Sequence, residues 1–216
     1  MRACLGVLVV LSLAGCGAAS SSTSIATRGP HDPCDGAELD LGEAAQSCRI
    51  EGEPGAPPSA ELVRVAIATA TLASGAEGAI QLAFTNTGSE PVELDFPGTL
   101  RFEASLFDGE GRRVDERWEV GGLAASAVRC RDGADCRTVR VRLAGGGTLI
   151  ASIPFAARVE VVRAGAGGAL ERSDGGAIAP GSYGARVMLP WMDAVAGSAT
   201  GARTTRIVEG TIAITR

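Results

Sequence analysis

The chain has 216 residues, 45% of them apolar, six cysteines and a formal net charge of −5. A mildly acidic chain has no electrostatic footprint for nucleic acid, so no nucleic-acid partner is expected. All 20 basic residues are arginine, which excludes a lysine Schiff base and a Walker-type phosphate lysine.

In chain order, the first element is a targeting segment. Arg2 supplies positive charge, residues 5–13 form an apolar run (LGVLVVLSL), and the run ends in Leu13-Ala14-Gly15-Cys16. A positive start, a short apolar stretch and small residues at a cut site define a secretory signal over residues 1–15. The run is well short of the roughly 20 residues that span a bilayer. The LAGC string resembles the lipobox of bacterial lipoproteins. The resemblance covers residues 1–16 and implies cleavage before Cys16, a diacylglyceryl group on its thiol and acylation of the new amino terminus. Several acyl chains anchor stably where one holds only reversibly. The membrane is therefore an expected partner, through lipid on Cys16. Gly17, not Asp, follows the cysteine. By family analogy that points to the outer membrane as the place in the cell envelope.

Cys4 leaves with the signal and Cys16 takes the lipid, so Cys34, Cys48, Cys130 and Cys136 remain. An exported chain with four spare thiols reads as two disulfides. Of the three possible pairings, proximity favours Cys34–Cys48 and Cys130–Cys136. The first closes a loop worth about 3 kcal/mol in the chain-entropy model, and the second closes a tighter turn worth less. Neither pair has the CxxC spacing of a zinc site, and no metal is expected.

Residues 17–30 (GAASSSTSIATRGP) are polar and flexible in composition, and residues 51–59 (EGEPGAPPS) are proline-rich. Between them lies the first cysteine loop, with a helical turn near residues 41–46. Residues 16–59 are thus expected to form a lipidated N-terminus and tether, with a coil span of about 35–40 Å. Residues 60–216 are expected to fold alone as the domain.

From residue 60 the pattern has period two. Val63, Val65 and Ile67 alternate with small or polar residues, as do Ile80, Leu82 and Phe84, then Val92, Leu94 and Phe96, then Val139, Val141 and Leu143. Such alternation marks half-buried strands. Further strands are expected at 100–107, 112–118, 148–154, 157–163, 183–190 and 203–214. Turn signals separate them, among them Asp108-Gly109, residues 145–147, residues 165–168 and Asp174-Gly175-Gly176. Many short strands at regular spacing argue an all-β antiparallel sandwich.

Residues 80–118 (IQLAFTNTGSEPVELDFPGTLRFEASLFDGEGRRVDERW) go beyond general pattern. They resemble the Ig-like domain of the intracellular proteinase inhibitor (BsuPI-like) family. Residues 143–149 (LAGGGTL) look like that family's turn into a late strand. Ala179-Pro180-Gly181-Ser182-Tyr183 looks like its final strand entry. The resemblance covers roughly 62–190 and implies an Ig-like β-sandwich. Its name implies protease inhibition, but fold alone carries no activity. The chain departs from the family in its lipoprotein signal, its cysteine turn at 130–136 and a glycine-rich insertion at 164–177.

His31, the one histidine, sits beside Asp32 in the expected tether, where a triad or metal site lacks a rigid pocket. Residues 165–168 and Leu170 lack the third glycine of a dinucleotide loop. Asp132 and Asp135, with Arg129, Arg131 and Arg137, crowd the second cysteine turn but offer too few oxygen ligands for calcium. In Pro190-Trp191-Met192 the Trp191 ring is either a partner anchor or core packing. Glu116 and Glu119 flank Trp118, yet two carboxylates on a strand specify no glycoside chemistry without a cleft. The expectation is a lipid-anchored envelope protein with a non-catalytic Ig-like interaction or structural module, a protein partner, and no catalytic residue or cofactor. The alternative is an extracytoplasmic proteinase inhibitor.

Overall fold

The computed structural model describes residues 31–52, 61–98, 102–118, 137–166, 169–189 and 207–216. Among them the chain forms β1 (Asp35–Asp40), α1 (Leu41–Ser47), β2 (Arg49–Ile50), β3 (Val63–Ile67), β4 (Thr71–Ala73), β5 (Glu77–Asn86) and β6 (Val92–Pro97). It continues with β7 (Glu103–Phe107), β8 (Glu116–Trp118), β9 (Thr138–Ala156), β10 (Arg158–Ala164), β11 (Leu170–Ala177), β12 (Gly181–Met188) and β13 (Ile207–Thr215).

The strands make a sandwich. One sheet runs β1-β9-β5-β3, with β2 and β6 also paired to β9; a second runs β4-β13-β12-β7; a small third runs β11-β10-β8. The period-two residues do what alternation requires. Ile80, Leu82, Phe84, Leu94, Phe96, Val141 and Leu143 turn inward from the first sheet, and Leu106, Val187, Ile212 and Ile214 from the second, into one core. Phe84 and Phe96 meet edge to face, with ring centroids 5.5 Å apart, a geometry worth about 0.5–1.5 kcal/mol beyond area burial.

The connections are those of an Ig-like sandwich. β3 pairs antiparallel with β5, and the chain then crosses so that β4 pairs parallel with β13 in the opposite sheet. β5 pairs with β9, and β12 lies between β7 and β13. At the entry to β12 the Tyr183 hydroxyl donates to the carbonyl of Ala179 at 2.8 Å, the bond of a tyrosine corner.

Three expectations need correction. The first concerns residues 35–50, expected to belong to a tether over 16–59 ahead of a domain that starts at 60; residues 16–30 and 53–59 of that tether lie outside the described residues. The compact unit runs from Asp32 to Arg216. β1 pairs parallel with β9 and β2 pairs antiparallel with it, so residues 35–50 cover one edge of the first sheet. Leu39, Leu41 and Ala44 are buried in the core at 4%, 1% and 0% exposure. A seven-residue helix has too few hydrogen bonds to stand alone; α1 persists because Leu41 and Ala44 pack. Asp40 caps its start by accepting from the Glu43 amide at 3.0 Å. The Cys48 amide closes its end on the Ala44 carbonyl at 2.8 Å.

The second correction concerns residues 145–147, expected as a turn. β9 passes through them as one 19-residue strand. β5 and β6 lie end to end along one edge of it, Thr85 opposite Thr148 and Val92 opposite Leu143, and residues 87–91 bulge between them. The glycines permit close backbone approach. A Cβ on Gly145 would sit 2.0 Å from the Ser89 carbonyl oxygen, and one on Gly147 would sit 2.9 Å from that of Ala37. The third concerns Asp174-Gly175-Gly176, expected as a turn. Within the glycine-rich stretch 164–177, residues 170–177 form β11, paired antiparallel with β10. Asp174-Gly175-Gly176 is a register shift within that pairing, with Gly176 at φ +99°, a conformation glycine takes without a Cβ penalty.

Candidate functional site

Two places concentrate chemistry among the described residues. The first is the ring closed by the Cys34–Cys48 disulfide, whose Cα atoms are 5.5 Å apart. The Asp32 carboxylate accepts from the Cys34 amide at 2.9 Å. Both cysteine carbonyls accept from β9: Arg142 N–H reaches Cys34 at 2.6 Å and Arg140 N–H reaches Cys48 at 2.9 Å. Arg142 also pairs with Asp35 at 3.0 Å. Beside the ring, Arg140 grips Asp95 of β6 through two bonds of 2.7 and 2.8 Å. That bond and the charge of Asp95 hold the Arg140 guanidinium well above its ordinary pKa.

The second is a cleft of about 630 Å³ where the β10–β11 hairpin meets β7, the end of β9 and residues 113–115. Pro154, Phe155 and Val159 form its apolar part. Asp115, 8% exposed, organises the charged part. One of its oxygens accepts from the Leu106 amide at 2.7 Å, and both accept from the Arg113 guanidinium at 2.9–3.2 Å. Arg113 also reaches Glu116 at 2.7 Å, and Arg172 pairs with Glu160 while lying 3.8 Å from Glu116. Arg158 pairs with Asp174 and donates to the Gly75 carbonyl at 3.2 Å.

The electrostatics are those of braces. Desolvation works against the charge on Arg113, but bonding to Asp115 and the charges of Asp115, Glu116 and Glu103 outweigh it and raise its pKa. The Arg158 side chain, then the Gly176 amide, hold the Asp174 carboxyl below its usual value of 3.8. A carboxylate kept ionised by a guanidinium is a poor proton donor at neutral pH, so Asp174 acts as a clamp. Because its folded pKa lies below the unfolded one, its contribution to stability is present above about pH 4 and is lost as pH falls through the lowered pKa. Asp174→Asn should therefore melt slightly below the wild type at pH 7 and together with it near pH 2. Paired thermal melts at the two pH values check this; an unchanged gap at low pH would contradict it.

A scan against family models finds no match to this chain, and a search of curated proteins finds no similar sequence.

Cys34 and Cys48 are joined as expected. Cys16, Cys130, Cys136, Arg129, Arg131, Asp132, Asp135, Glu119 and residues 190–192 lie outside the described residues, as do 167 and 168. His31 is exposed. Among the described residues no three His, Cys, Asp or Glu side chains gather as a metal site would require. Glu116, its side chain 9% exposed, pairs with Arg113 at 2.7 Å.

Reading by pattern missed three polar features. Asp95 lies on a strand where alternation marks it as outward, and Asp115 lies just before β8, yet both are buried beneath arginines. Asn86, 1% exposed, donates to the carbonyls of Glu90, Leu143 and Ala144 and accepts from the Gly88 amide. It ties the 87–91 bulge to β9. The Asn-Thr-Gly string signalled a turn, not a buried hub.

Proposed function

We propose that this chain is a lipid-anchored protein of the bacterial cell envelope, at the outer membrane, whose Ig-like sandwich is a non-catalytic interaction or structural module. The observation that carries this reading is the Cys34–Cys48 disulfide at the sheet edge. Disulfides of this structural kind form in oxidising compartments outside the cytosol, which agrees with a secretory signal at residues 1–15. The LAGC string at residues 13–16 then supplies the thiol for the lipid. Cys130 and Cys136 are assigned as the second disulfide. The module reading draws further support from the cleft, whose acidic groups Asp115, Glu160 and Asp174 are all engaged by arginines, two of which link β10 to β11.

Labelled fatty acid tests the anchor. The wild type should incorporate it, and Cys16→Ser should not and should remain uncut or leave the membrane fraction. Equal incorporation by both forms would refute lipidation at Cys16.

A further inference from the structure

The ring between Cys34 and Cys48 sits where the chain passes from the proposed anchor into the sandwich. Its two ends are adjacent, 5.5 Å apart between Cα atoms, although 14 positions separate them in sequence. Both ends are pinned to the same strand through the amides of Arg142 and Arg140. Between them, β1 touches β9 at two patches, residues 142–143 and 148–150, with an irregularity between Gly36 and Glu38. Leu39, Leu41 and Ala44 hold the ring in the core.

We infer that the ring is a tension lock: a pull on the chain ahead of Cys34 passes through the disulfide to Cys48 and β2, so β1 and α1 cannot unravel and lengthen the tether. The source of that pull in the cell rests on the lipid-anchor reading. The physical reason is the path of the force. Without the disulfide, a pull on Cys34 acts on one end of an edge strand, and the β1 pairs with β9 open one after another. Each opening lengthens the chain, and full release of residues 34–48 adds about 45 Å. With the disulfide, stretching residues 35–47 adds nothing between the pulled point and Cys48. The ring then leaves only as a unit, when Leu39, Leu41 and Ala44 come out of the core together. Cooperative opening of this kind has a free energy near the global value rather than that of a fraying end.

Optical-tweezer pulling tests this on the full chain, with handles ahead of residue 31 and at the C-terminus. The oxidised protein should unfold without an early step. The Cys34→Ser, Cys48→Ser double variant should show an early low-force step of about 45 Å before the main event. An early step of that size in the oxidised protein, or none in a folded variant, would overturn the lock. If the variant does not fold, hydrogen exchange on the oxidised wild type decides. The Arg140 and Arg142 amides should exchange within about tenfold of the slowest β5 amides, as cooperative opening requires. Exchange about a hundredfold faster or more would mean that the ring frays, and would sink the proposal. Handles replace the lipid, so these outcomes are independent of labelling at Cys16, and failure of the anchor leaves them unchanged.

Discussion

A chain that begins at residue 60 should hold the sandwich only weakly, whereas one that begins at residue 32 should melt as the full chain does. Truncation at 60 removes Leu39, Leu41 and Ala44 from the core and strips β1 and β2 from β9. Losing one buried leucine side chain costs about 2–5 kcal/mol, and a whole domain is stable by only about 5–15 kcal/mol. Two leucines, a helix and an edge strand together are a large share of that total. The expected result for 60–216 is a melting midpoint lower by about 15 °C or more, with aggregation through the bared edge of β9. Circular dichroism melts and size-exclusion chromatography of the two truncations measure this. Coincident melts would return residues 32–50 to the status of a tether. The charge pattern makes the result unexpected from sequence: Asp35, Glu38, Asp40 and Glu43 make the segment look solvated.

Gly145→Ala should be among the most damaging single substitutions in the protein. The added Cβ would fall 2.0 Å from the Ser89 carbonyl oxygen and 2.4 Å from its carbon. Both are backbone atoms, so no rotamer change relieves the overlap. The 87–91 bulge would have to retreat from β9. The Gly146 N–H to Gly88 bond of 3.0 Å would break, and so would the bonds from Asn86 to Leu143 and Ala144. Each buried polar group left unpaired costs about 1–3 kcal/mol, and the expected loss is about 3–5 kcal/mol. Gly109→Ala is the matched control. Nothing lies within 4 Å of its added Cβ and its φ is not positive, so stability should change by less than about 0.5 kcal/mol. Urea unfolding of both variants supplies the comparison. Equal losses would mean that close approach at Gly145 is not what constrains β9.

The alternating strands from residue 63 onward were legible because the cause is local. A half-buried strand must alternate, and Val63 to Ile67, Ile80 to Phe84, Leu94 with Phe96, and Val139 to Leu143 do so in full. The Cys34–Cys48 pairing was also legible, since export leaves few thiols and short loops close first. β11 was not. Its sequence, LERSDGGA, is polar and glycine-containing, and it forms a strand because β10 offers it hydrogen bonds, not because its own residues prefer one. The same holds for β1, with one buried residue in six.

The sequence by itself determined the all-β class, the inward faces of the central strands and one disulfide, because alternation and cysteine spacing are properties of neighbouring residues. Only the tertiary structure decided where residues 35–50 pack, why β9 keeps its course through three glycines and which charges are buried. Those facts depend on contacts between distant segments: Ala37 and Ser89 against the glycines of β9, Asp95 beneath Arg140, and Asp115 between β7 and β10. A residue's partner across a sheet is set by chain topology. Topology places Leu41 in the core from a stretch whose composition reads as linker.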